Sequence, residues 1–167
     1  ATGDLQNEPD IFRSDMLEKI HESKNGDGFY HIIDKETYEK GMVEGNGLKT
    51  WKFMAEDVPD FAWGASDHFL WDATSLVVDS VRNRRVWINT VYPDNENDYS
   101  DVIHMARESI KYLSCTFPGV PYPYDKHITF HGLSGGGMEF PMMANNNFFP
   151  DSVMRFDVTG HEIAHNY

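Results

Sequence analysis

Several features that would assign a chain to a particular class are scarce in this sequence. Its 167 residues include one cysteine, Cys115, so the chain cannot form an internal disulfide. No apolar run approaches the roughly 18–20 residues that a membrane-spanning helix needs. Basic residues are few, since 14 Lys and Arg stand against 27 Asp and Glu, giving a net charge of −13. The sequence therefore predicts a protein with no membrane span and no nucleic-acid partner.

What is present is the composition of a folded domain, with 40% hydrophobic and 14% aromatic residues. Alternating and β-branched segments predict strands at 29–33, 48–55, 60–64, 75–82, 85–92 and 127–131. Apolar residues at helical spacing predict helices at 15–23, from about 100 to 117, and after Asp151. The strands and helices are mixed without a regular β-α-β alternation, so we predict an α+β fold.

The stretch between the last two predicted elements is expected to form one more strand. Residues 138–144 predict a strand at the edge of a sheet, because Pro141 cannot donate a hydrogen bond to a neighbouring strand. The three asparagines at 145–147 predict a turn before the final helix.

That final helix carries the strongest chemical signal in the sequence. His161 and His165 are four residues apart, which places both imidazoles on one helix face, one turn apart. Neutral imidazoles in this arrangement can share a Zn²⁺ ion at roughly 2.0–2.1 Å. Glu162 can then act as general base toward a water molecule. The alternative is a chance pattern, but the uncharged residues on either side of the motif favour a metal helix.

A glycine loop upstream is the second signal. Gly135–Gly137 lets the backbone approach a ligand closely and exposes its N–H and C=O groups. Glu139, shortly after the loop, can bind the α-ammonium group of a substrate through a charge-assisted hydrogen bond. The alternative is a tight turn followed by a solvated glutamate. Together with the histidine motif, the loop predicts a zinc hydrolase that anchors a free N-terminus.

These two segments resemble the aminopeptidase-N / leukotriene hydrolase family of gluzincin metallopeptidases. Gly136–Glu139 is similar to the family's G-x-M-E-N loop, and Val158–Tyr167 is similar to the first part of its H-E-x-x-H-x18-E signature. Residues 48–53 and 60–63 are similar to the last strands before the family's catalytic domain. The resemblance implies that 1–70 end a β-rich domain after a polar helical lead-in. It also implies that 71–167 begin a thermolysin-like zinc peptidase domain.

The resemblance implies a role for each matching residue. His161 and His165 match the zinc ligands, and Glu162 matches the general base. Glu139 matches the acid that binds the free α-amino group of a peptide substrate. The backbone of Gly136–Gly137 matches the loop that lines the peptide groove.

Two departures from the family pattern matter. Phe140 stands where the family has an asparagine. The third zinc ligand, a glutamate nineteen residues after His165, would fall beyond Tyr167, as would the tyrosine that stabilises the transition state. Because the first residues lack an initiator methionine and a signal peptide, we expect a piece of a longer protein. We expect that piece to bind zinc weakly, to be inactive, and to self-associate through apolar surface.

Other interpretations stay open. A relative that opens epoxides would keep the same site. A non-catalytic peptide-binding scaffold need not retain all four of Glu139, His161, Glu162 and His165, so their presence counts against it. His127 and His131 share a strand face and could form a second metal site, although a core or surface role is expected. The acidic run at 94–101 lacks the spacing of an EF-hand loop, so a solvated loop with a helix cap is expected. Many bacterial relatives are exported, which favours a periplasmic or extracellular location.

Overall fold

The computed structural model describes residues 1–41, 45, 47–95, 97–132 and 135–167, and for residues 97 and 98 the backbone alone. The strands are β1 (Asp4–Leu5), β2 (Tyr30–Ile33), β3 (Phe53–Met54), β4 (Phe69–Asp79), β5 (Arg84–Pro93), β6 (Lys126–His131), β7 (Gly137–Phe140) and β8 (Met143–Asn146). The helices are α1 (Glu8–Ile11), α2 (Ser14–Asn25), α3 (Lys35–Lys40), α4 (Val102–Cys115) and α5 (Ser152–Ala164), with a 3₁₀ helix at Asn97–Asp101.

One mixed sheet dominates the described part of the chain. Its six strands run in the order β2-β4-β5-β6-β8-β7, while β1 and β3 pair separately. β4 and β5 form a long antiparallel hairpin, in which the strands predicted at 75–82 and 85–92 lie largely within β4 and β5. β6 lies parallel to both β5 and β8, and β7 returns antiparallel to β8 at the edge. The combination of helices with a mixed sheet confirms the predicted α+β class.

Helices pack on both faces of this sheet. One face packs against α4 and α5, and its hydrophobic core consists of Leu76, Val78, Val86, Ile88, Ile103, Ala106, Ile110, Tyr122 and Ile163. The other face packs against α1 and α2, and its core consists of Ile11, Phe12, Met16, Ile20, Ile32 and Ala73. Burying each of the larger of these side chains contributes about 1.5–3 kcal/mol to folding. The α4–α5 face of the sheet is the face on which the candidate site lies.

The helix periodicity of α4 was interpreted correctly. Ile103, Ala106 and Ile110 recur at helical spacing and are all buried against the sheet. The helix ends at Cys115, two residues before the predicted end at Phe117. The apolar stripe therefore fixed both the type of this element and the side that faces the core.

Two of the short strands were predicted wrongly. Within 48–55, strand pairing is confined to Phe53–Met54, which pairs with Asp4–Leu5. The segment 60–64 forms no strand, although the Ala62 carbonyl accepts a hydrogen bond from the Thr2 N–H at 2.8 Å. An alternating pattern indicates that a segment is half-buried. A strand also needs a partner to pair with, and for 48–55 that partner, β1, is two residues long.

The single edge strand predicted at 138–144 is also wrong. The chain forms two strands there, β7 and β8, joined by a turn at Pro141 and Met142. Pro141 marks the turn rather than an unpaired edge position. Asn145 and Asn146, expected in a turn, belong to β8.

The division of the chain into 1–70 and 71–167 stays a prediction. Its boundary falls inside β4, and β2, from the first of these parts, pairs with that strand in the main sheet. None of the described helices has both the length and the apolar character needed to cross a membrane.

Candidate functional site

The candidate site is built on α5, whose position is fixed at both ends. The Asp151 side chain caps the helix by accepting a hydrogen bond from the Met154 N–H at 2.8 Å. At the other end, the Tyr167 hydroxyl lies 2.7 Å from Ser114 Oγ and donates to the Ile110 carbonyl at 3.2 Å. The helix start predicted after Asp151 is confirmed, and these contacts attach α5 to α4.

Close packing between α5 and its neighbours orients the motif. A Cβ added at Gly160 would lie 3.3 Å from Ser109 Oγ, so a glycine permits the close approach of α5 to α4. Thr159 and Ile163 are buried on the inner side of the helix. Thr159 Oγ1 accepts a hydrogen bond from the Asn146 side-chain amide at 3.1 Å, which ties α5 to β8.

The two histidines of the motif lie together on the exposed side of α5. The Nε2 atoms of His161 and His165 are 3.1 Å apart. Two imidazoles that bind one tetrahedral Zn²⁺ at 2.0–2.1 Å would hold their nitrogen atoms roughly 3.3 Å apart. The observed separation is that of a hydrogen bond between the two rings, and it is also close to the one that a shared metal ion requires.

Glu162 turns to the inner side, where 6% of its surface is exposed. Its Oε2 atom is buried without a hydrogen-bond partner among the described residues. Burial raises the pKa of Glu162, and the charge of Glu139 raises it further, whereas His161 and His165 lower it. The site thus contains a buried carboxyl group with a raised pKa and a free acceptor atom, which is typical of a proton-transfer group.

Strand β7 brings the glycine-loop residues to the same place. Within the described residues, Glu139, Glu162 and His165 form a group whose potential ligand atoms all lie within 4.8 Å of one another. Glu139 is exposed, and it pairs across the sheet with Ala144 of β8. The structure therefore joins the two sequence signals into one cluster of two carboxylates and an imidazole.

Gly136 and Gly137 are required for different structural reasons. A Cβ at Gly137 would lie 2.0 Å from Glu162 Oε1, so the absence of a side chain leaves room for that carboxylate. Gly136 has φ +90°, a backbone conformation that L side chains rarely adopt, and its carbonyl accepts a hydrogen bond from the Asn147 N–H at 2.9 Å. Gly137 therefore contacts the site directly, whereas Gly136 shapes the loop.

Sequence reasoning missed two residues that hold the site together, Asn166 and Asn146. Asn166 Oδ1 accepts a hydrogen bond from the Met142 N–H at 3.1 Å, which connects the end of the motif to the β7–β8 turn. Asn146 connects β8 to α5 through Thr159, as described above. The position of Asn166 directly after His165 was a weak signal, but nothing in the sequence identified its partner.

The two histidines of β6 do not join the site. His127 is fully buried, with Nδ1 2.9 Å from the Tyr122 hydroxyl and Nε2 3.0 Å from Thr129 Oγ1. Burial lowers the pKa of His127 to about 3. His131 stacks at 5.2 Å from the Tyr99 ring. His127 therefore has the core role that was expected.

Phe140 and the described residues of the acidic run at 94–101 are not members of the cluster formed by Glu139, Glu162 and His165. Phe140 pairs with Met143, and as the neighbour of Glu139 in β7 it presents its side chain to the opposite face of the sheet. In the acidic run, residue 96 lies outside the described residues, and Asp101 accepts a hydrogen bond from Arg155 at 2.8 Å. This ion pair attaches the acidic segment to α5.

Comparison with known proteins adds no assignment: a scan of the chain against protein-family models finds no match, and a search of curated proteins finds none.

Proposed function

We propose that the protein containing this chain is a zinc-dependent aminopeptidase, which hydrolyses the first peptide bond of substrates with a free α-amino group. One observation carries the proposal, namely the meeting of Glu139 with Glu162 and His165 within 4.8 Å. The two segments were singled out independently from the sequence, and a chance histidine motif would have no reason to lie beside the glutamate of the glycine loop.

The donor set of the chain is suited to zinc. His161 and His165 present imidazole nitrogens 3.1 Å apart, and imidazole is a preferred zinc ligand. When bound, Zn²⁺ supplies Lewis acidity toward the scissile carbonyl and lowers the pKa of a coordinated water to about 7. The gluzincin resemblance implies a third ligand, a glutamate, in addition to these two imidazoles. With two imidazoles as its strong ligands, the chain alone should bind zinc weakly and be inactive.

Glu162 is the proposed general base. Its buried Oε2 atom has no partner among the described residues, so it is free to accept a proton from the attacking water. Burial raises the pKa of this carboxyl toward the range in which it can both accept a proton and release it to the leaving amine. Gly137, which has no side chain, leaves room for the Glu162 carboxylate at this position.

Glu139 is the proposed binding group for the substrate amine. It is exposed on β7, which is the edge strand of the sheet among the described residues. An extended peptide can add to such an edge through backbone hydrogen bonds. Its α-ammonium group can then pair with the Glu139 carboxylate. The peptide start would be held beside Glu162, so cleavage would release a single residue.

The activity assay must separate this reaction from its rivals. The zinc-loaded protein that contains this chain should hydrolyse aminoacyl arylamides, lose this activity on chelation, and recover it when zinc is restored. Turnover of lipid epoxides without arylamide hydrolysis would instead support an epoxide hydrolase. A protein that binds no zinc and turns over neither substrate would support a peptide-binding scaffold.

A further inference from the structure

We propose that Asn166 is a positioning residue that sets the place of Glu139 relative to the histidine motif. This inference rests on the proposed aminopeptidase function and deepens it, because it names a residue that determines selectivity for a free α-amine. The contact that supports this proposal is the 3.1 Å hydrogen bond from the Met142 N–H to Asn166 Oδ1.

The turn between β7 and β8 needs an external partner. In a four-residue β-turn from Phe140 to Met143, the characteristic hydrogen bond joins the first carbonyl to the last N–H. The N–H of Met142 is therefore not used by the turn itself. Met142 is 8% exposed, so solvent does not readily replace the missing partner. Asn166 supplies the acceptor.

The backbone conformation of the turn is also one that must be maintained from outside. Met142 has φ +65°, which is uncommon for a residue with a side chain. A turn with Pro at its first central position and a positive φ at its second matches type II, which fits the twist of a tight hairpin poorly. Such conformations persist where surrounding contacts hold them.

Several contacts hold this turn, and one of them leads to the motif. The Thr2 hydroxyl donates to the Pro141 carbonyl at 2.9 Å, and the Ile128 N–H donates to the Met142 carbonyl at 2.9 Å. These bonds fix the turn to the rest of the sheet. Asn166 fixes it to α5, and it follows His165 directly in the chain.

The result is a short closed path through the site. From His165 the chain continues to Asn166, crosses by one hydrogen bond to Met142, and returns along β7 to Glu139. Glu139 and His165 then meet within 4.8 Å. Loss of the hydrogen bond between Met142 and Asn166 allows the β7–β8 turn to relax without altering any proposed ligand. Glu139 would then shift while His161 and His165 stay in place.

The test compares Asn166→Leu, which has a similar size and no acceptor, with Asn166→Asp, which keeps an acceptor oxygen. The zinc-loaded protein is assayed with free and N-acetylated forms of the same peptide. Asn166→Leu should lower the preference for the free amine about tenfold through KM, with kcat and zinc affinity changed less than about threefold. Asn166→Asp should restore the preference to within about threefold of the original.

Tyr167→Phe is the matched control. It removes the hydroxyl contacts of the neighbouring residue with α4, so it loosens the same helix end without touching the β7–β8 turn. It should lower the melting temperature and leave the preference for free amines unchanged. If Tyr167→Phe lost as much of the preference for free amines as Asn166→Leu does, Asn166 would have only a general structural role and the proposal would be overturned.

Hydrogen exchange at the Met142 amide gives a readout that needs no activity. Asn166→Leu should speed this exchange about tenfold or more, and Asn166→Asp should slow it again. Unchanged exchange, or a wild-type preference that Asn166→Leu retains, would overturn the positioning role. A wild-type protein that shows no preference for free amines would contradict the proposed function itself, so the two failures are distinguishable.

Discussion

Glu139 and Glu162 lie side by side, although one belongs to an edge strand and the other to a helix. Their carboxylate oxygens lie within 4.8 Å of each other. Burial is the largest cause of the raised pKa of Glu162, and the negative charge of Glu139 raises this pKa further. Glu139 is exposed whereas Glu162 is buried. An exposed carboxylate suits the binding of a cationic group, and a buried one suits proton transfer, so the pair supports two different roles.

Substitution of Glu139 should affect the recognition of the amine more than the chemical step. Glu139→Gln keeps the shape but removes the charge, so KM for aminoacyl arylamides should rise about tenfold or more, with a smaller change in kcat. Steady-state kinetics on the zinc-loaded protein measures this. Glu108→Gln, on the exposed side of α4, serves as the control. Unchanged kinetic constants for Glu139→Gln would remove its proposed role.

The two histidines should both be needed for the metal. His161→Ala or His165→Ala should weaken zinc binding at least about 100-fold, because each removes a direct ligand. Competition with a chromogenic chelator measures the affinity. His21→Ala, on the exposed side of α2, should bind zinc as the unaltered protein does. Equal zinc affinities in all four proteins would place the metal elsewhere.

The stability of the fold should depend on pH through His127. Burial lowers the pKa of His127 from 6.5 to about 3, so between these values the unfolded chain binds a proton that the folded chain does not. The free energy of unfolding should therefore fall on acidification through this window, by up to about 1.4 kcal/mol per pH unit from this group.

The control for this pH effect is His127→Gln, whose side chain stays neutral. Chemical denaturation between pH 7 and pH 4 should show a smaller pH dependence for the variant than for the wild type. Parallel curves for the two proteins would show that His127 does not titrate differently on folding.

The packing of α5 can be tested apart from its chemistry. Ile163 is fully buried in the core against α4, so Ile163→Ala should lower the free energy of unfolding by about 2–5 kcal/mol. Val153 lies on the same helix with 74% of its surface exposed, and Val153→Ala should change stability by about 0.5 kcal/mol or less. Equal effects of the two substitutions in urea denaturation would contradict the observed orientation of the helix.

Local patterns predicted the elements that are stabilised locally. The stripe of Ile103, Ala106 and Ile110 identified α4, and the start of α5 was correctly predicted after Asp151. The 48–55 strand failed because its pairing depends on a distant partner, β1, that spans two residues. Pro141 was expected inside an edge strand and lies instead in the turn between β7 and β8, because its missing N–H fits both positions and sequence alone could not distinguish them.

The same distinction between local and distant contacts applies to the candidate site, of which only the locally determined part was predicted. Helical spacing alone places His161 next to His165, and the 3.1 Å separation of their nitrogens confirms this neighbourhood. The approach of Glu139 to Glu162 depends on the return of β7 beside β8, which no local pattern encodes. The hydrogen bond between Asn166 and Met142 likewise joins distant segments, so it became visible only in three dimensions.

The central claim is tested most directly by Glu162→Gln in the zinc-loaded protein, with peptide products followed by mass spectrometry and metal content measured in parallel. The variant should retain zinc and lose about 10²–10⁴-fold of the rate at which single residues are released from a free N-terminus. Retention of this rate in Glu162→Gln, with zinc bound equally in both proteins, would contradict the account.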